Sequence, residues 1–220
     1  MIQHELMYFS DPMCSWCYGF GPVIEKLQES YADRMPLQMI LGGLRPDEER
    51  PLPEKMSAEI AHHWEAVKEM TGREFDFSFF EKHPGFVYNT ALACRAVVAA
   101  GRGDSPRPMQ FQHALQSRFY AQGEDPTDVE TFASVAEEVG LDPAQFREAY
   151  ADDETESITR NNFAVARAFG INGYPTVVLH ERDGENEKHI LVSRGYMPYE
   201  DMHERIELIL KREVDLIAEE

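Results

Sequence analysis

Two cysteines separated by two residues, Cys14 and Cys17, have the clearest capacity for covalent chemistry in this sequence. A thiol is a weak nucleophile until it loses its proton, which a free cysteine does near about 8.5. Asp11-Pro12 closes an apolar run, and a helical pattern begins at or beside Cys14. Unpaired N–H groups and the positive end of the helix dipole at such a start favour a thiolate. Three residues on, Cys17 falls almost one turn further along the same face. It could there attack a mixed disulfide formed by Cys14. The spacing supplies an attacking thiol and a resolving thiol on one rigid element.

Two rival readings share the motif. Zinc wants four ligands, and the chain offers no second C-x-x-C and no Cys/His pair at finger spacing, so no metal site is expected. An inert buried pair is the other, because free cysteines commonly fill cores. A second feature favours redox work. Gly173-Tyr174-Pro175-Thr176 puts a proline at the mouth of a strand, after a glycine-bearing turn. Proline cannot donate to a sheet ladder, so alone it reads as a strand opener. Paired with strand–C-x-x-C–helix at the other end of the chain, it reads as part of a site.

The elements that must position these residues lie at both ends. Residues 4–10 form a short strand rich in aromatics, and Val23, Ile24, Leu27 and Tyr31 recur at helical spacing behind Cys14. Pro22 should bend that helix or interrupt one hydrogen bond. Residues 37–41 are a second strand, closed by Gly42-Gly43. Residues 45–53 are polar with three prolines and read as a linker. Helical patterns fill the middle. Met56, Ile60, Trp64 and Val67 mark one stripe that stops at Gly72, and residues 91–100 follow, capped by Asn89 or Thr90. Residues 109–121 are next, then a helix capped by Thr127 or Asp128, then a short one opened by Asp142-Pro143. After Glu154 comes a helix carrying Ile158, Phe163, Val165 and Phe169. Residues 174–179 are a strand, Asp183-Gly184 a turn, residues 189–192 the returning strand, and a helix from Pro198 towards Ile217 closes the chain. The fold class is α/β. One unit is built from residues 1–50 and 151–220, with an all-helical subdomain inserted at 51–150.

Composition narrows the partners. Lys and Arg number 21 against 40 Asp and Glu, a net charge of −19. That field repels nucleic acid and anionic membranes, which need cations to neutralise phosphate. No run approaches the roughly 18 apolar residues of a membrane-spanning helix. The first strand carries Glu5 and leads straight to Cys14, with no basic or apolar leader before it, so a cytoplasmic location is expected. Cys94, within an alanine-rich helix, reads as core. His62 and His63 point about 100° apart and share no ligand face. The aromatics of residues 75–80 read as subdomain core. Trp16, between the cysteines, sits on the active surface as a candidate substrate contact.

Residues 9–20, Phe-Ser-Asp-Pro-Met-Cys-Ser-Trp-Cys-Tyr-Gly-Phe, together with Gly173-Tyr-Pro-Thr176, resemble the DsbA-like branch of the thioredoxin superfamily. Within it the chain is similar to the cytoplasmic group of FrnE-like, predicted protein disulfide isomerases. Leu41-Gly-Gly-Leu44, residues 124–129 and Gly140-Leu-Asp142 carry the likeness along nearly the whole chain. The resemblance implies a thioredoxin fold with a helical insertion. It also implies that Cys14 is an exposed nucleophile, Cys17 its buried partner and Tyr174–Pro175 a cis peptide whose backbone meets substrate. Protein or small-thiol disulfides would be the substrates, with no bound cofactor beyond the Cys14–Cys17 couple and glutathione as a candidate co-substrate.

Two departures stand out. Thioredoxin and DsbA carry a buried acid six residues before the first cysteine, and that position here is Tyr8, leaving the proton acceptor for Cys17 open. The dipeptide Ser15-Trp16 holds no histidine, so the oxidising strength of DsbA is not expected to carry over. Two other functions fit the architecture. Related 2-hydroxychromene-2-carboxylate isomerases and kappa transferases use glutathione, generally with serine where Cys14 stands. A non-enzymatic binder or chaperone would use the helical subdomain for docking.

Overall fold

In the computed structural model, residues 2–103 and 106–218 are described, with side chains up to residue 211. Residues 1, 104–105 and 219–220 of the expected division lie outside the described residues. Strand β1 (Gln3–Ser10) leads into helix α1 (Ser15–Tyr31) and strand β2 (Leu37–Leu41). Helices α2 (Glu54–Thr71), α3 (Phe79–Lys82), α4 (Thr90–Ala100), α5 (Pro108–Gln122), α6 (Val129–Glu138), α7 (Pro143–Ala151) and α8 (Asp153–Ala168) follow. Strands β3 (Thr176–Asp183) and β4 (Asn186–Arg194) and helix α9 (Tyr199–Ala218) close the chain.

The sheet runs β2-β1-β3-β4. β1 and β2 are parallel, and the other two neighbours are antiparallel. Alternation along β1 assigns its two faces. Leu6 and Tyr8 join Phe20, Ile24 and Leu27 of α1 and Met202 and Ile206 of α9 in one core. Met7 and Phe9 join Ile40, Val178 and Ala166 of α8 in another. The helices gather around a third, which includes Trp64, Phe79, Cys94, Phe111 and Phe119, and Met13 and Tyr18 of the C-x-x-C region sit in it too. The dithiol segment is thus clamped between sheet and helices.

The helix starts follow side-chain chemistry. Asn89, Asp128, Asp142 and Asp152 each accept a hydrogen bond from an N–H of the first turn. Each such cap is worth about 1 kcal/mol. α1 continues across Pro22, whose solvent-side position lets the helix forgo one N–H without breaking.

Residues 45–53 connect β2 to α2 without helix or strand, and the connection is pinned: Arg160 holds Asp47 through two hydrogen bonds, and Thr90 and Arg45 exchange two more. Asp47 sits at φ 63, a conformation that Asp tolerates better than most residues. β3 runs four residues beyond 179, and β4 spans 186–194 rather than 189–192, with Asp183 facing Asn186 across a tight turn at Gly184 (φ 61). Their polar outer ends hide the strand pattern. The one-turn helix α3 is also additional.

Candidate active site

β1 ends at Ser10 against β2, and a short turn carries the chain into α1. Asp11 makes that turn. Its carboxylate is fully buried and accepts the amide of Met13 (2.8 Å), an Asx turn, and the amide of Leu44 (2.6 Å). The peptide N–H of Cys14 closes the turn on the Asp11 carbonyl at 3.1 Å. Tyr88 donates its hydroxyl to the Met13 carbonyl from the helical side. Cys14 is therefore placed as the N-cap of α1 by contacts from the turn after β1, from the β2–α2 connection and from the residues before α4.

The Cys14 thiol lies 3.4 Å from the carbonyl oxygen of Tyr174, to which it donates. The Tyr174–Pro175 peptide is cis. Pro175 has no N–H to give the sheet, and its carbonyl instead accepts Gly195 N–H at 2.7 Å. Both thiols are free. Against the expectation of an exposed nucleophile, Cys14 keeps only 6% of its surface, while Cys17 keeps none. The burial of Cys14 has a simple cause: the main chain of Tyr174 covers its sulfur, with the carbonyl oxygen 3.4 Å away.

The Tyr174 ring occupies the space that Gly42 leaves. A Cβ on Gly42 would fall 1.9 Å from Cζ of that ring. Gly42 is tied to β1 through its own N–H on the Ser10 carbonyl (2.8 Å). Trp16 is half-buried, with its ring 6.3 Å from that of Tyr196. The structure thus brings Cys14, Cys17, Tyr174 and Pro175 into one region with Trp16 at its edge.

Electrostatics follows from burial. Asp11 is pushed up to about 6, because desolvation of its carboxylate outweighs the two amides that it accepts. The Cys17 thiol is pushed up by burial and then by its neighbour Cys14, with the Asp11 amide and the Ser10 hydroxyl acting against the rise. Ser10 in turn accepts Gln112 Nε2 of α5 at 2.8 Å, so the helical middle reaches the resolving cysteine. Cys94 is buried among the helices, as its sequence context suggests, but its thiol also lies 3.6 Å from Asp11 Oδ2. Burial and the Asp11 carboxylate both push that thiol up.

Sequence reasoning missed Asp11 as a functional residue. Asp-Pro served only as a strand terminator, although an Asp two residues before a backbone N–H that needs a partner is a recognisable Asx-turn signal. His62 and His63 are exposed on α2, and Phe75 and Phe79 are core, while Phe77 reaches solvent.

A model of the DSBA-like thioredoxin domain matches residues 5–207. Among solved structures, a Nitrosomonas europaea protein assigned as a protein disulfide isomerase is 32% identical. The match covers 96% of this chain and 98% of that one with a TM-score of 0.85. The cytosolic disulfide reductase DsbM from Pseudomonas aeruginosa, solved alone and with GSH, shares the fold at 19% identity. There the TM-score is 0.73, with 94% of this chain and 98% of that chain covered. The ClpXP adapter protein SpxH of Halalkalibacterium halodurans is 24% identical over 200 residues. That match takes in 89% of this chain but 64% of the adapter, so the chain spans less than two thirds of that relative. No described helix is long and apolar enough to cross a membrane. With the dithiol at the head of α1, the Pro175 turn beside it and a family match over nearly its whole length, the chain belongs to the DSBA-like thioredoxin domain family, whose fold is that of thiol–disulfide oxidoreductases.

Proposed function

We propose that this chain is a thiol–disulfide exchange enzyme in which Cys14 attacks and Cys17 resolves. The observation that carries the reading is the approach of the Cys14 sulfur to the Tyr174 carbonyl, 3.4 Å away, at the N-cap of α1. One substrate sulfur would bond to Cys14 as the substrate S–S bond breaks and its other sulfur leaves as thiolate. Cys17, deprotonated, then attacks the Cys14 sulfur. That step forms the Cys14–Cys17 disulfide and releases the second substrate sulfur as thiolate, so the substrate gains two electrons and the enzyme loses two. The reverse sequence oxidises a dithiol, and attack without resolution permits isomerisation.

Tyr174 and Pro175 flank the sulfur and offer main chain to an extended peptide, which suits substrates of varied sequence. Trp16 supplies an aromatic edge to the same surface. No bound cofactor enters this scheme. A small thiol such as glutathione returns the disulfide to the dithiol, a role supported by the GSH complex of the Pseudomonas reductase. The cytosolic setting of that protein likewise supports a cytoplasmic one here. The glutathione-dependent isomerase alternative is disfavoured by a cysteine at position 14 where those enzymes generally carry serine.

A second reading, a protein-binding adapter, is favoured by the likeness to SpxH. Turbidimetric insulin reduction with glutathione separates the two. Exchange chemistry requires activity in the wild type and its loss in Cys14→Ser. Adapter function alone would leave Cys14→Ser, Cys17→Ser and the wild type equally inactive.

A further inference from the structure

Far from the dithiol, the β3–β4 hairpin brings two imidazoles and two carboxylates onto one face of the sheet. His180 on β3 is the direct cross-strand partner of His189 on β4 and of Glu5 on β1. Glu187, two residues before His189, shares that face by the two-residue period of a strand. Four residues at about 3.3 Å each separate His180 from the strand start at Thr176, so this group is distinct from the redox site.

Three candidate ligand side chains lie close together. Ligand atoms of His180, Glu187 and His189 all lie within 4.8 Å of one another. The two rings stack at 4.5 Å and 19°, and the edge of Phe169 braces His189 with ring centroids 4.7 Å apart. His180 is 92% buried (8% exposed), yet its Nε2 has no hydrogen-bond partner. That nitrogen points towards Glu187, 3.8 Å away. On the other side of the ring, Glu5 Oε2 stands 3.6 Å from Nδ1. His180 thus has a carboxylate beside each ring nitrogen and no hydrogen bond at Nε2, and a carboxylate behind one nitrogen of a buried imidazole is the partner that orients a metal-binding histidine.

We propose that His180, His189 and Glu187 bind a divalent transition-metal ion of the zinc class, with Glu5 orienting His180. Two imidazoles and a carboxylate suit a borderline cation and leave a fourth position for water. Bonds of about 2.0–2.2 Å require the donor atoms to close to about 3.3 Å. The exposed side chains of Glu187, which also accepts Arg182 Nε at 3.1 Å through its other oxygen, and His189 can turn to achieve this, while buried His180 anchors the site. The strongly acidic chain raises the local concentration of cations.

The test uses Zn2+ alone, competed against a chromophoric chelator, on the Cys14→Ser/Cys17→Ser chain so that thiolates do not take the metal. One ion should bind per chain and raise the melting temperature. His189→Ala, at an exposed position that the fold tolerates, should weaken binding by about tenfold or more, and Glu5→Gln by about tenfold through loss of orientation. Zn2+ should also protect His180 and His189 from diethyl pyrocarbonate in the same protein. Absence of stoichiometric binding to the Cys14→Ser/Cys17→Ser chain, whose one remaining thiol, Cys94, is fully buried, or equal affinity in His189→Ala and its parent, overturns the proposal whatever the activity of the dithiol.

Discussion

Gly42 and Tyr174, 132 residues apart in sequence, occupy a single volume: the tyrosine ring fills the space where a side chain on residue 42 would project. The main chain of Tyr174 is also the partner of the Cys14 thiol, so the absence of one methyl group supports the position of the site. Gly42→Ala should therefore displace the ring or the β2 end. Overpacking of this kind costs about 1–3 kcal/mol. Urea denaturation should show that loss, accompanied by a lower kcat/KM for a peptide disulfide. Unchanged stability and rate would mean that the ring moves without consequence.

Asp11 predicts an unusual pH dependence. Its folded-state value near 6 lies above the 3.8 expected of an unfolded aspartate. Between those values the folded chain holds a proton that the unfolded chain has released, so this residue's contribution to stability is greatest below about pH 4 and is lost as pH rises through 6. The size is about 2–3 kcal/mol. Urea titrations of the reduced protein and of Asp11→Asn from pH 4 to 7 isolate it: the wild-type curve should fall relative to the variant's by that amount. Parallel curves would show that the carboxylate is not desolvated.

The three thiols should separate in reactivity. Cys17 and Cys94 have no exposed surface, and burial pushes both thiols up. Brief alkylation of the reduced protein near neutral pH should label Cys14 first, by about tenfold or more. Peptide mapping by mass spectrometry reads this directly, and first labelling of Cys94 would contradict it.

The redox poise should be moderate. No histidine stands between the cysteines to stabilise the reduced couple. A potential between about −160 and −260 mV is expected, nearer disulfide isomerases and glutaredoxins than DsbA at about −120 mV. Equilibration against glutathione buffers measures it, and a value above about −140 mV would contradict the expectation.

Much of the frame is local and therefore legible in sequence. The apolar alternation of residues 4–10, the helical spacing from Val23 to Tyr31 and the Asp-Pro start of α7 each depend on near neighbours. What could not be read depends on distant ones. Asp11 becomes a buried acid only because Leu44 and Cys94 close over it, 33 and 83 residues away. The outer half of the β3–β4 hairpin is polar on both faces, so Glu181, Arg182 and residues 186–188 carry no alternation to betray a strand. The meeting of Glu5, His180 and His189 is a matter of register, and register across three strands is invisible until they pair.

The central claim is that Cys14 forms the bond to substrate and Cys17 breaks it. The most direct measurement is mass-spectrometric mapping of the adduct that Cys17→Ser forms with a small peptide disulfide. The account predicts a persistent mixed disulfide on Cys14, rapid clearance of the same species in the wild type, and no adduct in Cys14→Ser. An adduct located on Cys94, or one that clears as quickly without Cys17 as with it, would contradict the account.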